Sequence, residues 1–321
     1  MVIQVPASFI ESLLSHQEAS IRYQTRLLLL DEPESSAEMQ ALREEIRHSP
    51  AAKALLAGEF DSHPYKKWQG AHWVLVSLAE IHYPMGDQSL MPLRDQVYQW
   101  LDSPEHKKYI QQIEGRTRRC ASQEGNALYA SLVLGLENDY TAELAENLLA
   151  WQWPDGGWNC DRKPEAQHSS FWESCVPLRA LCWYGKLHPS QAIADAIRRA
   201  AEIFLKRHLF RRQADGSVMQ PEFTQLHYPV FWYYDILTGL ERMGEAGLLE
   251  DPRCADALGL LEGKQLPDGG FPAEGRFYRL TKPEISGYSK YDWGGVSKRK
   301  ANPWVSVHAL SVLKQAGRLQ F

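Results

Sequence analysis

Long apolar runs are absent from this chain. The longest stretches, such as residues 73–78, are far too short to span a bilayer. The first fourteen residues hold no basic segment followed by an apolar one. No signal peptide is therefore expected, and the cytoplasm is the expected compartment. An excess of positive charge is absent too: 35 Lys and Arg against 40 Asp and Glu leave a formal charge of -5. No global field attracts nucleic acid. The short basic runs at 116–119, 206–212 and 298–300 read as solvated faces or helix ends. Cysteine is scarce. Cys120, Cys160, Cys175, Cys182 and Cys254 are odd in number and form no Cys-x-x-Cys, which favours free thiols over a disulfide framework. Polar–apolar alternation never lasts more than a few residues, so strands are not expected to carry the fold.

Aromatics, by contrast, are plentiful, with 11 Trp and 14 Tyr. Each of these rings has an apolar body and one polar handle, which suits a core or a ligand cavity. A repeat is also present. Gln152, Pro154, Asp155, Gly156, Gly157 and Trp158 match Gln265, Pro267, Asp268, Gly269, Gly270 and Phe271. A weaker copy lies at Asp215-Gly216. The intervals are roughly 50 to 60 residues, a period that marks stacked or ringed helix pairs. In each copy an apolar helical pattern stops at Pro-Asp-Gly-Gly. Proline sets the turn, the glycines take conformations closed to other residues, and the aspartate can accept backbone N–H bonds.

A second, more apolar helix is predicted after each turn, at 70–81, 125–136, 171–183, 229–243 and 303–315. These read as an inner ring. Amphipathic segments at 19–31, 37–57, 92–101, 141–151, 191–208 and 248–263 read as the outer ring. Residues 286–300 look like a long loop or short hairpin. Residues 1–58 lack the turn and are expected to complete or cap the ring. Residues 59–321 carry the repeats, and the two parts read as one continuous domain.

The Gln-x-x-Asp-Gly-Gly-Trp/Phe turn resembles the QW repeat of the squalene/terpene cyclase and protein prenyltransferase superfamily. The resemblance implies an all-α fold, an α/α toroid of paired helices around a central hollow. It covers roughly residues 60–317, with sharp copies only at 152–158 and 265–271. The Asp-x-Asp-Asp cluster of protonation-type triterpene cyclases is missing here. The zinc set of the prenyltransferases, Asp-x-Cys with a distant His, has its nearest counterpart in Glu173, Cys175 and His308. No cofactor is the primary expectation, with zinc on those three residues as the alternative.

Alignment of the inner helices on a shared leucine brings candidate residues to one chamber near the helix starts. The candidates for acid–base work are Glu173, Asp235 and His308, because a carboxylate and an imidazole can tune each other towards neutrality. The candidates for ligand contact are Trp68, His72, Glu124, Trp172, Phe231, Trp232 and Trp304, whose aromatic faces suit cations or stacked ligands. The loop after the first sharp turn adds Cys160, Asp161 and His168 as metal ligands or acid–base groups. Its counterpart one repeat earlier holds Arg118, Arg119 and Cys120, where the arginines suit a phosphate or carboxylate. For each single residue the plain alternative is a structural hydrogen-bonder or core ring.

Three functions compete on this pattern. The first is a terpene cyclase- or prenyltransferase-like protein with an aromatic-lined cavity for an isoprenoid or other apolar ligand. The second is a non-catalytic helical binding scaffold. The third is a carbohydrate-active toroid, a lyase or glycosidase using Glu173 with Asp235. The expected partner is a small apolar or aromatic-stacking ligand.

Overall fold

The computed structural model describes residues 3–320. Helix dominates it. The helices are α1 (Ala7–Leu14), α2 (Ala19–Gln24), α3 (Ala37–Ile46), α4 (Pro50–Leu56), α5 (Ala71–Glu80), α6 (Met91–Asp102) and α7 (Pro104–Lys107). They continue with α8 (Ser122–Leu134), α9 (Asp139–Trp151), α10 (Phe171–Leu187), α11 (Gln191–Leu205), α12 (Ile236–Glu245), α13 (Ala255–Glu262) and α14 (Pro303–Gln315). Strands are minor. β1 (Ile3–Gln4) pairs in parallel with β4 (Leu319–Gln320), and β2 (Gln111–Ile113) forms a hairpin with β3 (Arg116–Arg118).

Six elements pack in succession: α5 on α8, α8 on α10, α10 on α12, α12 on α14, and α14 on α2 with the π-helical turn that follows it. Gln24 of α2 then donates to the Glu80 carbonyl of α5 (3.2 Å). The flanking helices α6, α9, α11 and α13 each bridge two neighbours of that succession. The apolar runs explain the difference. Every residue of α5 from Ala71 to Ala79 is buried, and α8, α10 and α14 are nearly as closed, whereas α11 buries one stripe only.

The helix starts follow from capping residues. Ser170, Ser190, Asp235 and Asn302 each accept a backbone N–H from the first turn of α10, α11, α12 and α14. Asn138 and Thr141 form a reciprocal capping box at α9. Each cap contributes about 1 kcal/mol.

The two sharp turns share one architecture. Trp153 N–H donates to Gly157 O, and Leu266 N–H to Gly270 O, both at 2.8 Å. Gln152 and Gln265 each donate from Nε2 to their own turn, at Gly156 O and Gly269 O. Each Nε2 also reaches a remote carbonyl, Ala196 O or Gln4 O. Gly156 has φ +111, and a Cβ there would sit 2.3 Å from Arg199 O, so only glycine fits. The aromatic that follows is clasped by the next packed helix. Ser174 Oγ accepts from Trp158 N–H, and Ser306 Oγ accepts from Phe271 N–H. Trp158 also turns back over α9 and donates from Nε1 to Leu148 O.

Several predicted boundaries shift. The helix expected from 229 begins at Ile236, because Asp235 is an extended N-cap and Phe231 has φ +51. The segment 19–31, expected in the outer set, packs against α14 and reaches Glu80. The 37–57 segment divides into α3 and α4 at the Ser49 cap and Pro50, a residue suited to a first helical position. The regular α-helix within 248–263 is confined to α13, entered through a short 3-10 turn. Residues 286–300 form a loop without a hairpin. No helix among the described residues is long and apolar enough to cross a membrane.

Candidate functional site

The C-terminal halves of the packed elements surround one cavity of about 260 Å³. Leu28 from the π turn, Glu80 and His82 at the end of α5, Tyr129 of α8 and Arg179 and Trp183 of α10 line it. Glu241, Arg242 and Glu245 of α12 and His308 and Ser311 of α14 complete the wall. Its chemistry is charged. Arg179 pairs with Glu80 and donates to Tyr129 Oη. Arg242 donates to Glu245 (2.6 Å), and His308 Nδ1 lies 2.6 Å from Glu241 Oε1. Burial opposes the Glu80 charge, but Arg179, together with Arg242 and His308, outweighs it and holds the carboxyl at about 2. Burial also opposes a charged His308, and Glu241 together with Glu80 outweighs it, so the imidazole is raised. Trp183 Nε1 and His308 Nε2 are buried nitrogens that have no hydrogen-bond partner, and Arg179 Nε faces Glu245 Oε1 at 3.5 Å.

A different arrangement occupies the N-terminal ends. Glu173, the third residue of α10, is 3% exposed. Its Oε2 accepts from Ser122 N–H at the start of α8, and its Oε1 accepts from Trp232 Nε1, both at 3.1 Å. Burial raises its carboxyl. Cys160 Sγ lies 3.9 Å from Glu173 Oε1. Cys120, just before α8, joins them. The three donor atoms fall within 4.8 Å of one another, and among the described residues this is the one group of His, Cys, Asp or Glu placed to hold a metal ion.

The other predicted residues have separate partners. Asp235 is fully buried at the start of α12. Its oxygens accept from His227 N–H (3.0 Å), Thr238 N–H (2.8 Å) and Thr238 Oγ1, and His227 Nδ1 lies 2.8 Å away. His308 faces Glu241 instead. The structure therefore does not bring Glu173, Asp235 and His308 together. The zinc alternative of Glu173, Cys175 and His308 is not assembled either. The Cys175 thiol is buried beside Arg242, and burial pushes it up to about 12.

The aromatic candidates pack on one another rather than around a hollow. Trp68 stacks on Phe231 with centroids 4.2 Å apart and donates to Phe277 O. Trp172 meets Trp232 at 5.1 Å. Trp304 stacks on Tyr228. His72 is buried with both ring nitrogens unpartnered, and burial drives it down to about 3. Glu124 is buried against Arg119, whose guanidinium also meets His106, and burial pushes the carboxyl up to about 7. Arg118 is also buried, over Trp153, and donates to Ala166 O. Neither arginine presents a surface to phosphate. Asp161 and His168 are exposed, where they brace their loop: Asp161 accepts from Lys163 N–H, and the His168 carbonyl accepts from Asn159.

Inspection of the sequence missed Glu80, Arg179, Glu241, Arg242 and Glu245. The available signal was a lone charge inside an apolar run, as with Arg179 between Leu178 and Ala180. Comparison of the chain with models of known protein families and with curated proteins returns no match.

Proposed function

We propose that the chain is an α/α toroid of the squalene cyclase and prenyltransferase type whose axial cavity holds a small, uncharged, hydroxyl-rich molecule of the sugar class. The ring reading rests on the packing succession, which returns from α14 through α2 to α5. The ligand reading rests on one observation: a cavity lined by every packed element carries paired charges and unpartnered nitrogens.

The charges already neutralise one another, Arg179 with Glu80 and Arg242 with Glu245. An occupant need not bring a net charge. Arg179 Nε already faces Glu245 Oε1 at 3.5 Å, so the occupant must satisfy Trp183 Nε1 and His308 Nε2, and hydroxyl groups both donate and accept. An isoprenoid chain in the same space would strip water from these groups and return nothing, a cost of roughly 1–3 kcal/mol for each unmet polar group. The volume falls below the roughly 300–1,000 Å³ of drug-sized pockets, which limits the occupant to about one sugar ring.

A second reading, an isoprenoid-binding protein, is favoured by the half-buried Trp172, Trp232 and Tyr233 at the opposite end, with Lys67 Nζ 3.2 Å from Tyr233 Oη. A thermal-shift panel of monosaccharides, polyols and isoprenoid diphosphates separates the two. A saccharide or polyol at 100 times its Kd is expected to stabilise the fold by about 2.7 kcal/mol. The His308→Asn variant is expected to bind it about tenfold more weakly, the equivalent of one charge-assisted hydrogen bond. Stabilisation by isoprenoid diphosphates alone, lost in Trp232→Ala and kept in His308→Asn, overturns the axial reading.

A further inference from the structure

We infer that Cys120, Cys160 and Glu173 form a binding site for one zinc-class divalent cation, with the fourth coordination position open. The site lies at the N-terminal ends of α8 and α10, away from the axial cavity, and stands independently of the ligand proposed there.

The donor set is the first argument. Two thiolates and a carboxylate suit zinc, which accepts sulfur and oxygen together. Tetrahedral zinc, with Zn–S near 2.3 Å and Zn–O near 2.0–2.2 Å, places neighbouring donors roughly 3.5–3.8 Å apart. Cys160 Sγ and Glu173 Oε1 already stand at 3.9 Å, and no pair of the three donors exceeds 4.8 Å. Closing on an ion requires side-chain movement of about 1 Å or less.

The backbone holds these donors in place from several directions. Arg119 N–H, one residue before Cys120's own amide, donates to the carbonyl of Asn159, the residue before Cys160 (3.2 Å). The two thiol-bearing segments are thus joined directly. Trp153 Nε1 donates to Thr117 O, which ties the sharp turn to the strand leading into Cys120. Ser170 N–H donates to Trp158 O, which ties the same loop to the start of α10. Glu173 is aimed by two donors, Ser122 N–H on Oε2 and Trp232 Nε1 on Oε1. Such outer partners orient a metal's carboxylate ligand and tune its basicity.

Accessibility is the third argument. Cys120 and Cys160 are partly exposed, while Cys175, Cys182 and Cys254 are buried. Metal can reach the first two from solvent. Three protein ligands leave a position for water or a substrate oxygen, the pattern of zinc sites that do chemistry rather than brace a fold. The donors differ in kind and place from the Glu173, Cys175 and His308 set suggested by the family resemblance. Two of them come from successive interhelical loops, not from one helix and a distant histidine.

The test uses the full chain, purified with reductant and without chelator. Elemental analysis is expected to give close to one zinc per chain. Metal-free protein titrated with cobalt(II) is expected to show thiolate-to-cobalt charge transfer and the visible bands of a tetrahedral ion, saturating at one equivalent and bleached by zinc. Cys120→Ser and Cys160→Ser are each expected to lose that charge-transfer signal in part and to bind at least about 100-fold more weakly, and Glu173→Gln about 10- to 100-fold. Cys182→Ser is expected to match the parent. The titration of the parent chain decides the matter even where a variant misfolds. An octahedral cobalt spectrum, sub-stoichiometric metal, or a Cys120–Cys160 disulfide that binds no metal after reduction overturns the site.

Discussion

The two ends of the packed helices treat carboxylates in opposite ways. At the N-terminal ends, Glu173 and Asp235 spend oxygens on backbone N–H groups of Ser122, His227 and Thr238, with Glu124 on Arg119 an exception among them. At the C-terminal ends, Glu80, Glu241 and Glu245 pair with Arg179, His308 and Arg242. The asymmetry follows from the helix. Its first turn leaves amides without partners and a positive dipole end, and its last turn leaves carbonyls and a negative one. A carboxylate at a helix start is welcomed by the backbone. A carboxylate at a helix end needs a cation brought from elsewhere. The loops sharpen the difference. Long segments cover the helix starts and fill them with stacked rings, while the helix ends stay open around a charged cavity.

That contrast predicts unequal responses to deletion. Arg179→Ala is expected to cost the most, about 3–5 kcal/mol in urea unfolding, because it leaves Glu80 charged and enclosed without its cation. Glu80→Gln with Arg179→Met together are expected to recover a large part of that loss, since a half-removed ion pair is worse than none. A double variant as unstable as Arg179→Ala alone would mean that the pair does not govern this end. Asp235→Ala is expected to cost less, about 2 kcal/mol, from the lost cap and from His227 left without its acceptor. Asp235→Asn keeps the cap and is expected to lose about half as much. Equal losses for the two substitutions would move the weight from the backbone bonds to the His227 pair.

Much of the architecture was readable from periodicity and turn chemistry, and the reason is local. α5, α8 and α14 are apolar nearly all round, so their extents stand out, whereas α10 runs past its apolar part to an exposed end at Leu187. The two Pro-Asp-Gly-Gly turns share their main-chain and glutamine hydrogen bonds because one backbone shape demands those residues, whereas Asp155 accepts from Ser169 and Asp268 from its own Gly270. Asp235 illustrates the limit of pattern. With Thr238 three residues on, it carries a capping signature, yet on an apolar segment it looked like a chamber wall. The cavity was not legible because Glu80, Arg179 and Glu241 lie on three helices that only packing brings face to face. The thiol cluster was half legible: Cys160 stood out as a loop metal-ligand candidate and Cys120 lay in the counterpart loop, but their meeting at Glu173 did not show. Cys120 and Cys160 lie in loops, and alignment of helix positions says nothing about where loops meet.

Buried histidines offer the finest comparison of the two ends. His72 lies at the start of α5 and His82 just past its finish, and burial drives both imidazoles down to about 3. Between about pH 6.5 and 3 the unfolded chain binds a proton that each native imidazole refuses. Their contribution is therefore whole above 6.5 and lost as the pH falls, at up to about 1.4 kcal/mol per pH unit for each. Glu124 opposes them. Its carboxyl, pushed up to about 7, favours the fold below the ordinary carboxylate range and loses that contribution as the pH rises towards 7. His72→Leu is expected to flatten the decline in urea stability between pH 6.5 and 4.5 and to expose the Glu124 slope. His82 lines the open cavity, whereas His72 is 1% exposed among Tyr65, Trp73 and Trp100. If the proposed cavity is wet, its water relieves part of the desolvation at His82, and His82→Leu is then expected to flatten the profile less. Equal flattening by the two substitutions would mean that the cavity is as dry as the core, and a dry cavity is no place for a hydroxyl-rich ligand.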